Sequence, residues 1–444
     1  MTLAEQLAGY GFSADDAATR AAVVEEVAHG LEMLAGAPPE WCWFVPGRLE
    51  VFGKHTDYAG GQALVAAAPR GFAVAARSRD DQRVRVVDHV NGSLLDIAVT
   101  SDAPPLRGWA GYIDVTVRRL ARNFPGAELG LDLVFASDLP RAAGMSSSSA
   151  LVVAVATALA ARARLDERPE WRDAVKGVED RATYFGCIES GQPFRALAGT
   201  SGVGTQGGSE DHTAILGCRA GHLAHYRFLP TARLADIACP PGWTFVVATS
   251  GVHADKAGSV RERYNRAALA ARALLNVWNS AAPEPAASLA ALIADGDAVT
   301  ELRRLIATAV IPAASPVELA RRLDHFLAEN AIVAAAAAAC ARGDAGTMGE
   351  LAAASQGHAE RLLENQVPET STLAALAREC GAHGATSFGA GFGGSVWALV
   401  DRGDAGHFAR TWLDAYRRRH PGMPNVRWFT VTPGPGLVAL PAAL

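Results

Sequence analysis

The chain alternates between two kinds of apolar pattern. Residues 3–36 carry a helical pattern that stops near Gly36-Ala37-Pro38-Pro39. Trp41-Cys42-Trp43-Phe44-Val45 then reads as a strand, and 62–76, 83–88 and 94–100 read as further strands bounded by turn residues. Trp109-Ala110-Gly111-Tyr112 opens a predicted helix to about Ala121, and 131–135 is another apolar strand. A stretch free of Pro and Gly, rich in Ala, Val and Leu, follows to about Ala163 and predicts a helix, as does 169–189. Residues 221–228 and 243–249 read as strands. Helices dominate from about 257 to 381, most clearly over 258–280, 315–341 and 345–364. The chain then turns through a glycine-rich segment, 385–394, into a strand.

Composition narrows the function. With 444 residues, two or three domains are expected, two being the number for an enzyme whose site lies between them. Half the residues are hydrophobic, the net charge is −5 and no long basic run occurs, which speaks against a nucleic-acid or membrane partner. Cys42, Cys187, Cys218, Cys239, Cys340 and Cys380 are scattered, with neither a CxxC nor a zinc-ligand spacing. This usage suits a reducing, cytoplasmic compartment. The N-terminal segment has no basic region ahead of an apolar run, so no signal peptide is expected.

Three stretches carry chemistry. Gly144-Met145-Ser146-Ser147-Ser148-Ser149-Ala150 lies between a predicted strand and a predicted helix. The first turn of a helix offers unpaired N–H groups and partial positive charge, which suits a phosphate, and serine hydroxyls there can reach a metal. A serine N-cap on an ordinary helix has the same pattern. No Gly-Lys-Ser/Thr follows, so this is no Walker loop. Pro46 to Gly61 packs Arg48, Lys54, His55 and Asp57 among glycines, the composition of a site on a loop. The loop Gly202 to His212 ends in Glu210 and Asp211 beside a predicted helix start. A Rossmann reading of Gly389 to Gly394 is unsupported, because strand follows the glycines.

Taken together these stretches resemble the galactokinase branch of the GHMP small-molecule kinases. The likeness rests on Pro46-Gly47-Arg48 through Gly53-Lys54-His55-Thr56-Asp57-Tyr58, on Gly144 to Ser149, and on Gly389-Ala390-Gly391-Phe392-Gly393-Gly394, in that order. Trp109-Ala110-Gly111-Tyr112, Glu189, Ser355 with His358, and Val367-Pro368-Glu369 add smaller echoes from residue 40 onward. The resemblance implies an α+β, two-domain GHMP kinase fold, with a ribosomal-protein-S5-like N-terminal domain and a ferredoxin-like C-terminal domain. The expected division is 1–235 and 236–444, with the active site in the cleft. The implied reaction is ATP-dependent phosphorylation of a sugar hydroxyl, usually the anomeric one, with Mg²⁺.

By motif position, Gly144, Met145, Ser146, Ser147, Ser148 and Ser149 would hold ATP phosphates, Trp109 would line the adenine pocket or else pack in the core, and Ser148 would ligate Mg²⁺. Glu189 is the expected carboxylate ligand, with Glu179 as the alternative. The family's base, an Asp, is replaced by Thr205 at the obvious place. Gly221-His222 lies ten and eleven residues after Asp211, as in the family, so Asp211 is the expected base and 195–207 an inserted loop. Arg48 should sit beside Asp211, favouring its ionised form; an ion pair between domains is the plainer role.

The sugar pocket departs from the family. Lys54 stands in place of Glu, Glu50 in place of Asn, and Val260 in place of a sugar-contacting Tyr that Tyr264 replaces one turn on. His55 and Asp57 should hold sugar hydroxyls. Lys54 suits a uronic acid's carboxylate, or it pairs with Glu50 four residues away on the same side of a strand. His222 and His225 point to opposite sides of a strand and should not share a metal. The expected function is a sugar kinase acting on a galactose-like monosaccharide or its uronic acid, as a monomer or homodimer. A kinase for another polyol or a non-sugar alcohol is one alternative, and a catalytically silent sugar and ATP sensor the other.

Overall fold

The computed structural model describes residues 1–100, 105–140, 144–253, 258–309, 311, 314–423 and 425–442, with the backbone alone at 258–260. The chain opens with α1 (Leu3–Gly9) and α2 (Ala14–Ala35). One helix was expected here. Gly11 (φ +98°) breaks it, and Ser13 restarts it by accepting from the Asp16 amide. Next come β1 (Trp41–Phe52), β2 (Gln62–Ser78), β3 (Arg83–Asp88), β4 (Ser93–Ala98), α3 (Trp109–Asn123) and β5 (Leu131–Ser137). The phosphate-type loop leads into α4 (Ser147–Arg162). The predicted helix 169–189 is two, α5 (Pro169–Ala174) and α6 (Val178–Ser190), because Val175 and Gly177 are extended. Then α7 (Glu210–Gly217), β6 (His222–Arg227) and β7 (Ala232–Ala238) follow, the last with no sequence signal noted above.

With the C-terminal strand β12 (Val438–Leu440), these strands form one sheet in the order β12-β1-β2-β5-β3-β4, with β6 on the other half of β2 and β7 beyond it. The long β2 makes this possible, pairing its N-terminal half with β6 and its C-terminal half with β5. Only β3 with β5 is parallel among the described pairs. α3, α4 and α6 cover one face around Ile113, Val152, Val155 and Phe185, while α2 covers the other through Val24, Val27 and Leu31. α4 is apolar nearly all round, as expected of a helix buried at the domain's centre.

A second sheet, β11-β8-β10-β9, is antiparallel throughout. It contains β8 (Trp243–Thr249), β9 (Gly384–Ser387), β10 (Ser395–Asp401) and β11 (Trp428–Val431). Between β8 and β9 run α8 (Gly258–Ala281), α9 (Leu289–Ile293), α10 (Gly296–Thr308), α11 (Pro316–Ala341), α12 (Ala345–His358), a π-helical turn at 359–363, and α13 (Pro368–Glu379). α14 (Ala405–Arg419) packs on the sheet through Phe408, Trp412 and Tyr416. The last strand, β12 (Val438–Leu440), returns to the first sheet and pairs with β1. Among the described residues one helix, α11, is long and apolar enough to cross a membrane by length and composition. It is instead mostly buried here, with Leu319, Leu323, Phe326 and Val333 in the core.

Candidate active site

Arg48 is the centre of the site. The β1–β2 pairing slips between Pro46 and Arg48, a bulge that re-aims the following side chain. The Arg48 amide donates to the Met145 carbonyl (3.3 Å), and Nη1 donates to the Gly144 carbonyl (2.5 Å). Nε donates to Asp211 Oδ1 at 2.7 Å, across 163 residues of sequence. Asp211 lies in the first turn of α7, where negative charge is favoured. That turn is fastened by Asp57 Oδ2, which accepts from the Glu210 amide (3.1 Å). The approach requires Gly208, because a Cβ there would collide with the Asp57 carboxylate. Burial opposes the charge on Arg48, yet Asp211, Glu50 and Glu210 together hold its pKa above the ordinary arginine value.

The serine loop closes the other side. Gly144 (φ +76°) and Ser146 (φ +57°) wind it left-handed, and α4 starts at Ser147 with no side-chain cap from Ser146. Its first-turn amides are the donors that a phosphate would take. Ser149 Oγ lies 2.8 Å from Glu189 Oε2 and 3.2 Å from Asp211 Oδ2, donating to these carboxylates. His212 Nε2 stands 3.2 Å from the same Glu189 oxygen. The glycine turn before β10 completes the wall. Gly389 (φ +78°) rests on the serine loop so closely that a Cβ would stand 3.2 Å from Gly144.

Arg48, Ser149, Glu189 and Asp211 line one cavity with Glu50, His55, Asp57, Tyr58, Thr205, Glu210 and Tyr264. His55 sits in a left-handed turn (φ +58°), its Nδ1 2.9 Å from the Tyr58 hydroxyl and its Nε2 3.2 Å from the Ala390 carbonyl. Its ring lies 5.2 Å from that of Tyr264 on α8. Burial raises the Asp57 pKa and pushes Glu50 up to about 7 despite Arg48 nearby. Glu210 is raised well above the carboxylate range, by burial and then by Glu50 beside it.

Comparisons with known proteins identify the family. The galactokinase galactose-binding signature matches residues 32–78, the GHMP kinase N-terminal domain matches 111–177, and the GHMP kinase C-terminal domain matches 336–418. A galactokinase of Roseiflexus sp. (strain RS-1) is 30% identical over 378 residues, 84% of this chain and 86% of that protein. The galactokinase of Chloroflexus aggregans is 30% identical over 394 residues, covering 87% and 91%. The chain belongs to the galactokinase branch of the GHMP kinases. The Lactococcus lactis galactokinase complexed with galactose superimposes with a TM-score of 0.73 at 21% identity, covering 94% of this chain and all of that one. The Methanococcus jannaschii mevalonate kinase follows with 0.55 at 12%, covering 88% and 96%. As a GHMP kinase of this branch, the protein is a phosphotransferase with an alcohol acceptor, in a two-domain α+β fold.

Within the kinase, Asp211 lies with Arg48, and Thr205 lines the same cavity without meeting that arginine. Ser149 Oγ reaches Glu189; Ser148 is half-buried and outside the cavity lining. Glu179 is also outside the lining, with Arg233 at 3.8 Å. Trp109 meets Phe135 of β5 in an edge-type ring contact and is also outside the lining. The Val260 side chain lies outside the described residues.

Lys54 is turned away from the cavity. It is 1% exposed, and Nζ donates to Ser355 Oγ (2.6 Å) and Thr386 Oγ1 (3.0 Å). Ser355 lies 3.0 Å from both oxygens of Glu329, whose Oε1 also accepts from the amides of Gly53 and Lys54. No ion pair joins Lys54 and Glu50 among the described residues. His222 meets the Ala220 carbonyl and His225 meets Gln62, on separate sides of β6. Sequence reasoning passed over Tyr58, which lies within the quoted signature, and gave Glu210 no role beyond ending the loop before α7.

Proposed function

We propose that this kinase transfers the γ-phosphoryl group of ATP to the anomeric hydroxyl of a galactose-like monosaccharide. The observation that carries the proposal is the 2.7 Å pair of Arg48 and Asp211, set against the Gly144 carbonyl and Ser149 at the mouth of α4. Asp211 accepts the hydroxyl proton as the sugar oxygen bonds to phosphorus and the bond to the β-phosphate oxygen breaks, releasing ADP. Arg48 keeps Asp211 ionised and offers positive charge to the reacting oxygen. The amides of residues 147–149, in the first turn of α4, receive phosphate oxygens. Trp109 is assigned to the adenine side.

The metal belongs to this reading too. Among the described residues no group of three His, Cys, Asp or Glu side chains surrounds a metal. Mg²⁺ asks for less, one or two carboxylates with phosphate and water oxygens. Glu189 with a serine hydroxyl, Ser149 by contact or Ser148 by motif, fits as a hard-oxygen donor set. Bound there, the ion would neutralise phosphate charge. His55, Asp57 and Tyr264 are the assigned sugar contacts. The hydroxyl-bound position of Lys54 removes the motive for a uronic acid. Six cysteines without disulfides support a reducing, cytoplasmic site of action. Monomer and homodimer are both compatible with the catalytic reading.

A coupled ADP-release assay across free hexoses, with the product identified by phosphorus NMR, tests this reading. An anomeric phosphate formed from a galactose-like sugar, and lost in Asp211→Asn, supports it. ADP release that no sugar stimulates, or tight sugar binding without turnover, overturns it.

A further inference from the structure

The chemistry above leaves two carboxyl groups in the cavity without employment. Glu50 stands on β1 two residues after Arg48, and Glu210 opens α7 one residue before Asp211. Each is 4% exposed and lines the cavity. In each, Oε1 has no hydrogen-bond partner among the described residues. Asp57 and Glu189 differ, since Asp57 accepts from the Glu210 amide and Glu189 from Ser149. A buried acceptor without a donor is costly, so such an oxygen in a cavity calls for a donor from the ligand.

Charge and position say which donor. Among the described residues the lining holds five carboxyl groups, Glu50, Asp57, Glu189, Glu210 and Asp211, against one arginine, and Lys54 is turned away. A carboxylate on the substrate would sit among acidic groups, with Arg48 already paired to Asp211. A hydroxyl offers one donor, whereas an ammonium offers three and a positive charge. Glu50 Oε2 lies 3.6 Å from Arg48 Nη2 and Glu210 Oε1 lies 3.5 Å from Arg48 Nε, the nitrogen that also holds Asp211. Both carboxyls thus stand one guanidinium away from the group that meets the reacting hydroxyl.

We propose that the acceptor substrate is an aldohexose carrying an amine on the carbon next to the anomeric one, and that Glu50 and Glu210 hold its ammonium. This rests on the sugar-kinase reading above. It assigns specificity to two residues that the phosphoryl transfer does not use.

The test is kcat/KM for ADP release with galactosamine, galactose and galacturonate, on the wild-type chain and on Glu50→Gln, Glu210→Gln and Glu50→Asp. Galactosamine should exceed galactose by about tenfold or more, the gain of charged over neutral hydrogen bonds, with galacturonate last. Each Gln variant should lose most of that ratio, while Glu50→Asp retains part of it. Calorimetric binding of the same sugars gives a second reading, and the wild-type ratio decides alone if a variant fails to fold. Galactose preferred over galactosamine, or a preference that survives both Gln variants, overturns this inference alone. No turnover of any sugar overturns it together with the reading beneath it.

Discussion

Two buried cations, six positions apart, have opposite surroundings. Lys54 is enclosed by neutral hydroxyls, those of Ser355 and Thr386, and Ser355 passes the contact on to Glu329. Arg48 is ringed by carboxylates, borders the cavity, and leaves oxygens of Glu50 and Glu210 unmatched. The first arrangement is satisfied within the protein and acts as a strut between the signature loop and α11, α12 and β9. The second is satisfied only when something enters. Unmatched polar atoms lining a cavity, more than buried charge as such, are the reason we assign substrate binding to the Arg48 side.

The comparison can be broken most sharply at Asp211. Replacing it with Asn should lower kcat by about 10²–10⁴ while nucleotide affinity, read by calorimetry, holds. Full turnover in that variant would mean that the Arg48 cluster is only structural. Next in size is Lys54→Met, which strands Ser355, Thr386 and Glu329 inside the protein. A loss of about 3 kcal/mol in urea-induced unfolding is expected, with a smaller effect on the KM for sugar than on stability. A large KM change with unaltered stability would move Lys54 from strut to site.

Glu50→Gln sharpens the contrast through pH. The folded carboxyl titrates near 7, above its ordinary 4.5. Below the ordinary value both states are protonated and the residue costs nothing. As pH rises towards 7 the unfolded chain releases its proton first, so stability falls and stays low above 7. The Gln variant should therefore gain on the order of 2 kcal/mol at pH 8 and nothing at pH 4, measured by thermal unfolding. Equal gains at both pH values would remove the titration as the cause. The smallest effect is expected from Ser149→Ala, which takes one hydroxyl from Glu189 and Asp211. About a tenfold drop in kcat/KM for ATP with Mg²⁺ is expected, with little change for sugar.

Local signals carried much of this. The apolar stretch after the serines, the glycines at 144 and 389, and the polar crowd at 47–61 were visible because each obeys a rule of a few residues. The Arg48 and Asp211 contact needed more, a count of residues onward to Gly221-His222. The choice between Ser148 and Ser149 turns on a finer scale. One residue turns a helical side chain by about 100°, so a motif that names Ser148 cannot say that Ser149 faces Glu189. Strand parity likewise put Glu50 and Lys54 on one side, but the pairing slips between Glu50 and Phe52 and β1 ends before Lys54.

By itself, then, the sequence determined the pieces whose physics is local: which segments coil, which extend, where amides are left bare for an anion, and the α+β kinase family they spell. Only the tertiary structure decided what each charge touches. Glu329 and Ser355 lie more than 270 residues beyond Lys54, β12 crosses back to pair with β1, and Glu50 and Glu210 meet at Arg48 from different elements. Such contacts depend on where helices and strands come to rest against one another, a sum over the whole core that no short stretch of chain encodes.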